Sequence, residues 1–344
     1  MEDHGREGEM AASKRVLVTG STGAIGNMVV RELLKRGDTP VGYDVSEDFR
    51  FMPDIVGKFE FARGDVLDLP RVLDTIKRHG IEAIIHTAAL LPDLATANPY
   101  MAVQVNVVGT ANIVEAARLF GLRLVFTSTK GVMQDFVGEY GHPTYRPLTE
   151  EYPVIPPDNS HTLYNDTKVF CEHYLNRCAR LKGLDHVILR FSSIFGPGRL
   201  RHGGRAVMSE MIEAAARDEP YAIATGGEQK DDVIYTRDVA HACVSAVHAE
   251  APRRRTYLIG SGRLVSYREI VEAVKRACPG ARVSVGPGLD PFRIGFMGFG
   301  LFDISAARAE LGYQPQYSLD EAIHDYVQLL ESWKPSGSRV RRSA

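Results

Sequence analysis

The sequence predicts an α/β fold: a doubly wound parallel sheet followed by a smaller C-terminal lobe. Three observations carry this. From Lys14 to about Phe191, short apolar runs alternate with helical patterns, and such alternation builds a parallel sheet covered by helices on both faces. A glycine-rich turn, "VLVTGSTGAIG" (16–26), joins the first strand to the first helix. Beyond Phe191 the regularity decays into Pro- and Gly-rich segments, as in a lobe closing over the edge of a sheet. At 344 residues the chain also exceeds the size at which one hydrophobic core usually keeps growing.

The elements follow in order. "KRVLVTG" is a short buried strand, and "AIGNMVVRELLKRG" is an amphipathic helix closed by Gly37. "TPVGYD", "KFEFARGD", "IEAIIHTAA", "LRLVFTST" and "DHVILRFSS" are further strands. Helical stretches such as "VQVNVVGTANIVEAARLFG" and "LYNDTKVFCEHYLNRCARLKG" separate most of them. Residues 14–190 and about 232–250 are assigned to the sheet domain, and about 191–231 and 251–333 to the lobe. Residues 1–13 read as a disordered leader and 334–344 as a basic disordered tail.

With 44% hydrophobic and 24% charged residues, the chain has the composition of an ordinary soluble protein. A formal net charge of −2 gives no reason to expect a nucleic acid or an acidic membrane as partner. The arginines at 253–255 and at 339, 341 and 342 read as solvated. The polar, acidic start is no signal peptide, and no apolar run approaches membrane-spanning length. Cys171, Cys178, Cys243 and Cys278 form no C-x-x-C pair and no set with histidines. The expectation is a reduced, cytoplasmic protein without a metal site.

Gly20, Gly23 and Gly26, with Thr22, Ala24 and Ile25 between them, fall between a strand and a helix. Glycines there let the backbone approach a pyrophosphate whose charge the helix N-terminus favours. Asp44 ends the next strand, where a carboxylate accepts hydrogen bonds from the adenosine ribose hydroxyls. It also repels a 2′-phosphate, and Val45 and Ser46, not arginine, follow it, so NAD is favoured over NADP. Asp65 and Val66 in "RGDVLD" and Thr87, Ala88 and Ala89 in "HTAA" lie at other strand ends and are candidates to line the cofactor pocket.

"YNDTK" places Tyr164 and Lys168 four residues apart, on one face of a helix. A phenol with a pKa near 10 is a poor base at neutral pH. An ammonium one turn away stabilises the phenolate, and the tyrosine then suits removal of a proton from a substrate hydroxyl. A buried strand, "LVFTSTK", ends in three hydroxyls, Thr127, Ser128 and Thr129. These either solvate the strand end or hold a substrate.

Taken together, the glycine turn, the strand-end hydroxyls and the Y-x-x-x-K pair resemble the extended short-chain dehydrogenase/reductases, from about Lys14 to Trp333. The resemblance is strongest to the NAD-dependent epimerase/dehydratase branch. "HTAAL…NPYMAVQVNVVGTANIVEAA", "LRFSSIFGPG" and "DDVIYTRDVA" are similar as well. It implies a Rossmann-type sheet with a substrate-binding lobe, and NAD as cofactor. It implies a triad of Thr129, Tyr164 and Lys168, with Asn106 as the helix asparagine and Ser128 near the nicotinamide. Lys168 would also hold the nicotinamide ribose, and Leu90, Thr129 and Lys130 would face the substrate. Helices near 99–119 and 164–181 correspond to those that pair in the family's homodimers.

The chain departs from the family where the substrate sits. Nucleotide-sugar members usually carry an asparagine where this chain has Ser193, and an arginine where it has Asp231. An acid facing a diphosphate is repulsive, and a carboxylate cannot mimic an arginine fork. Two readings follow. One is a smaller, non-nucleotide substrate such as a sugar, sugar acid or polyol. The other is a nucleotide-sugar 4-epimerase with a rebuilt phosphate site, for which Arg199, Arg201, His202 and Arg205 are candidates. Lys130-Gly131 after Thr129 argues against a 4,6-dehydratase, whose relatives carry Asp-Glu there. A non-catalytic, NAD-binding regulator is the competing class. Such proteins commonly lack the tyrosine or the lysine, and this chain has both.

Overall fold

The computed structural model describes residues 12–198, 206–293 and 298–333. Its main sheet has seven strands in the order β10-β6-β5-β4-β1-β2-β3. They are β1 (Arg15–Thr19), β2 (Thr39–Asp44), β3 (Glu60–Arg63), β4 (Ala83–His86), β5 (Arg123–Thr129), β6 (His186–Phe191) and β10 (Thr256–Ile259). Every neighbouring pair is parallel. The order reverses at β1, so the carboxyl ends of β1 and β4 open the crevice in which such sheets bind ligands.

Side chains alternate across the sheet and feed two cores. Val16 and Val18 enter the core beneath α1 (Gly26–Arg36) and α8 (Thr236–His248), with Val29, Leu33, Val239 and Cys243. Leu17 points the other way, into the core shared by α2 (Leu69–His79), α5 (Thr110–Phe120) and α6 (Leu163–Lys182), with Val72, Ile113 and Leu175. Strands buried on both faces need continuous apolar runs, and "AIIH" and "HVILRF" are buried throughout. Gly37 closes α1 in the left-handed conformation at φ 87°, as expected.

The helix expected near 99–119 is not one α-helix. Two short pieces, α3 (Pro92–Ala97) and α4 (Pro99–Ala102), precede a π-helical stretch over Val103–Gly109, and only then does α5 begin. The lobe holds a three-stranded sheet, β11-β9-β7, and a two-stranded one, β12-β8. Their strands are β7 (Ser193–Phe195), β8 (Tyr221–Ile223), β9 (Lys230–Tyr235), β11 (Leu264–Ser266) and β12 (Val283–Val285). A third core packs them under α7 (Val207–Ala216), α9 (Tyr267–Ala277) and α11 (Leu319–Ser332), while α10 (Ser305–Leu311) lies outside it.

The boundary drawn from sequence is corrected in two places. β9 belongs to the lobe sheet, although most of it falls in the 232–250 stretch assigned to the sheet domain. β10, from the stretch assigned to the lobe, is the edge strand of the main sheet, beside β6. Both are short strands, and a strand of four to six residues carries no local mark of which sheet it will join. Among the described residues, no helix is long and apolar enough to cross a membrane.

Candidate active site

The turn after β1 is built for close approach. Gly20 has φ +68°, and a Cβ there would meet the Ala88 backbone at 2.8 Å. A Cβ on Gly26 would lie 2.0 Å from the Gly20 carbonyl oxygen, so the turn cannot close on α1 with any larger residue. Gly23 N–H donates back to Gly20 O at 3.0 Å. Asp44 sits at the end of β2 beside this turn and accepts from Thr22 N (3.0 Å) and Thr22 Oγ1 (2.9 Å). The Ser46 N–H donates to its other oxygen, and the half-buried carboxylate has lone pairs beyond these three contacts. Val66 is buried against Gly109, while Asp65 is exposed and takes the Tyr43 hydroxyl on its carbonyl. Thr87, Ala88, Ala89 and Leu90 form the half-buried loop after β4. "FGPG" descends onto the same turn: a Cβ on Gly198 would lie 3.5 Å from Ala24. A glycine cradle, an acid at the second strand end and a helix N-terminus together fit a dinucleotide.

β5 ends at Thr129, whose Oγ1 accepts from Gly131 N at 3.1 Å. A Cβ on Gly131 would lie 2.3 Å from Asn165 Oδ1, in the first turn of α6, so a larger residue there displaces that side chain. That turn is capped by Thr162, which accepts from Asn165 N, and it carries Tyr164. One turn on, Lys168 lies along the Tyr164 ring, with Nζ 5.7 Å from its centroid and 4.5 Å from that of Phe126. Nζ donates to Thr127 O at 2.8 Å, and burial pulls this lysine down to about 8.

Two predicted cofactor residues, Ser128 and Asn106, are hydrogen-bonded within the protein. Ser128 points away from Thr129 and donates to Glu172 Oε1 at 2.6 Å, in a buried ion pair of Glu172 with Arg190 at 2.7 Å. Its hydroxyl therefore braces β5 against α6. Asn106 is buried in the π-helical stretch and brackets the Leu90 backbone, accepting from N (2.7 Å) and donating to O (3.0 Å). It also donates to Thr167 on α6 at 3.1 Å. Wide turns of this kind often mark functional sites.

Ser193 and Asp231, placed near the substrate from sequence, do meet, and Lys130 joins them. Lys130 Nζ lies 2.9 and 3.2 Å from the two Asp231 oxygens, and Ser193 donates to the same carboxylate. Gly300 N–H adds a fourth contact at 3.2 Å, and the Phe299 ring lies 5.6 Å from the ammonium. Asp231 is 1% exposed and Lys130 14%. The long connection between Thr129 and Tyr164 folds onto the lobe beside them, where the Tyr145 hydroxyl accepts from Gln229 Nε2 (2.9 Å) and Lys230 N (3.2 Å). Arg199, Arg201, His202 and Arg205 lie outside the described residues. Sequence reasoning missed Thr19, His86, Thr110, Glu172, Arg190, Tyr145 and Phe299; all are ordinary core or loop types whose partners lie far along the chain.

A glycine cradle at the switch point of a parallel sheet, with a tyrosine–lysine pair on a helix whose lysine reaches the neighbouring strand end, is the arrangement of a dinucleotide-dependent oxidoreductase site. Residues 16–260 match the family model described as the NAD dependent epimerase/dehydratase family. The chain belongs to that family; it is an enzyme of the extended short-chain dehydrogenase/reductase type, with NAD as its cofactor. It is 33% identical to a UDP-glucose 4-epimerase of Mycolicibacterium smegmatis over 326 residues, covering 92% of this chain and 99% of that one. It is 26% identical to a dTDP-4-dehydro-6-deoxyglucose reductase of Escherichia coli, with 92% and 98% covered. Among solved structures, Thermus thermophilus UDP-glucose 4-epimerase in complex with NAD is similar at a TM-score of 0.76 and 28% identity, with 92% and 99% covered.

Proposed function

We propose that this enzyme oxidises a secondary alcohol of a sugar-like, non-nucleotide substrate, a sugar, sugar acid or polyol, with Tyr164 as general base. Bound NAD supplies the hydride acceptor. Thr129 donates its hydroxyl proton to the reacting oxygen and fixes it beside Tyr164 Oη. Lys168, one turn along, stabilises the phenolate so that Tyr164 takes the substrate hydroxyl proton at Oη. Asp44, Thr22 and the glycine turn hold the adenosine and pyrophosphate, and Lys168 also suits the nicotinamide ribose.

The single observation behind the choice of substrate is the Lys130–Asp231–Ser193 corner. The ammonium is paired with a buried acid, and the position at which nucleotide-sugar members carry arginine holds a carboxylate. A diphosphate there meets a neutral pair with an anion at its heart. The second reading, a UDP-sugar 4-epimerase with a rebuilt phosphate site, is supported by the names of the relatives above. Calorimetric titration of UDP into the NAD-loaded protein separates them. No binding is expected, and reduction of NAD by a panel of free sugars, uronates and polyols then identifies the substrate. Micromolar UDP binding overturns the non-nucleotide reading in favour of the epimerase.

A homodimer is part of the same reading. Tyr100, Val103 and Val108 from one helical segment and Phe170 and Leu181 from α6 are exposed, and Phe170 stacks on Tyr174. Such a patch asks for cover, and sedimentation showing only monomer at micromolar concentration counts against it. All four cysteines are free, which accords with a reducing, cytoplasmic setting.

A further inference from the structure

We propose that His86, a buried histidine at the end of β4, is a positioning residue for the cofactor loop. Held in one neutral tautomer, it ties residues 87–90 to the widened turn at Asn106, and through that turn to the helix bearing Tyr164 and Lys168. This rests on the NAD-linked reading above, and nothing in the mechanism so far uses this imidazole.

The proton positions follow from one end of the chain of contacts. Thr110 Oγ1 donates to Asn106 O at 2.6 Å, because a carbonyl can only accept. A hydroxyl has one proton, so toward His86 Nε2, 3.0 Å away, Thr110 accepts. Nε2 therefore carries the ring proton and Nδ1 is bare. Thr19 Oγ1, 2.6 Å from Nδ1, must donate to it. The remaining lone pairs of Thr19 meet Ala88 N–H at 3.4 Å. Every group in the series has one consistent direction, from the Ala88 amide to the Asn106 carbonyl.

The ring stays neutral in this setting. Burial pulls His86 down to about 3, and the nearby Lys168 ammonium adds to the effect. A protonated ring would present Nδ1–H to Thr19, whose hydroxyl would then accept from both the ring and the Ala88 amide and lose Nδ1 as the acceptor for its own proton. At the other end, the Asn106 carbonyl also accepts from Cys171 Sγ on α6 at 3.2 Å. The Asn106 side chain holds Leu90 on both its N–H and its carbonyl. The loop beside the glycine turn is thus held twice: Ala88 through Thr19 and His86, and Leu90 through Asn106. Both holds end on the helix that carries the catalytic pair, so the spacing between cofactor and base is set by this network.

The test uses the full-length protein, with NAD as the probe. Long-range ¹⁵N NMR of the histidine rings should show His86 protonated on Nε2 and not titrating between pH 6 and 9. Thr110→Val should weaken NAD binding by calorimetry roughly tenfold, the scale of losing one or two hydrogen bonds, and speed exchange of the Leu90 amide. Thr110→Ser, which keeps the hydroxyl, should restore both to within about twofold. The proposal is overturned by the Nδ1 tautomer, by titration in that range, or by Thr110→Val lowering thermal stability without moving NAD affinity and Leu90 exchange. If the wild-type protein bound no NAD, the cofactor reading itself would fall. The ring signals and the Leu90 amide would still decide the network.

Discussion

Replacing Lys168 with methionine should separate function from stability. The lysine binds its proton at about 8 in the fold against 10.5 in the unfolded chain, with burial as the main cause. At about 1.4 kcal/mol per pH unit, that gap amounts to about 3 kcal/mol of lost stability. Below pH 8 both states carry the proton and the penalty is complete. Between pH 8 and 10.5 the unfolded chain binds the proton and the fold does not, so wild-type stability rises with pH. Above 10.5 both forms are neutral and the penalty is gone. Lys168→Met has no such titration, although it loses the charged hydrogen bond to Thr127 O, worth about 1.5–3 kcal/mol. At pH 7 the variant should therefore lie within about 1–2 kcal/mol of wild type while losing turnover. Urea unfolding of both proteins at several pH values between 7 and 11 measures this. The wild-type stability minus that of the variant should climb by about 3 kcal/mol across pH 8 to 10.5. A flat difference would refute the claim that burial, and not packing, sets the state of this lysine.

Two further outcomes are expected. Tyr164→Phe should bind NAD within about twofold of wild type and lose roughly 10²–10⁴ in turnover on whichever alcohol the panel identifies; near-normal turnover removes Tyr164 as base. Glu172→Gln should destabilise the fold by about 3–5 kcal/mol, because it strips the buried Arg190 of its carboxylate. Arg190 Nη1 has no hydrogen-bond partner among the described residues to fall back on. A urea midpoint unchanged by that substitution would show that water already compensates the guanidinium.

The fold was legible wherever local chemistry repeats or punctuates. The glycine turn, the apolar strands and Asp44 at a strand end are all local signals, and each sits where its pattern placed it. The tyrosine and lysine share a helix face because four residues is one turn. What was not legible depends on one extra residue or on a long reach. A π turn at Val103–Gly109 leaves the amphipathic pattern nearly intact, so composition does not betray it. Lys130 and Asp231 stand 101 residues apart. The sequence suggested substrate roles for both, but not that they would neutralise one another. Ser128 lies in the hydroxyl cluster that marks the strand end, yet alternation along β5 sends it inward to Glu172, 44 residues away.

The join between the two lobes is unusually short. β6 ends at Phe191 and β7 begins at Ser193, leaving only the buried Ser192 between the main sheet and the lobe sheet. On the neighbouring strand, β9 ends at Tyr235 and α8, packed against α1, starts at Thr236. Two such joints side by side confine any bending between sheet and lobe to a few backbone torsions, at Ser192 and at the Tyr235–Thr236 junction. The connection from Thr129 to Tyr164 adds a third tie, pinned to the lobe through Tyr145 and Leu148.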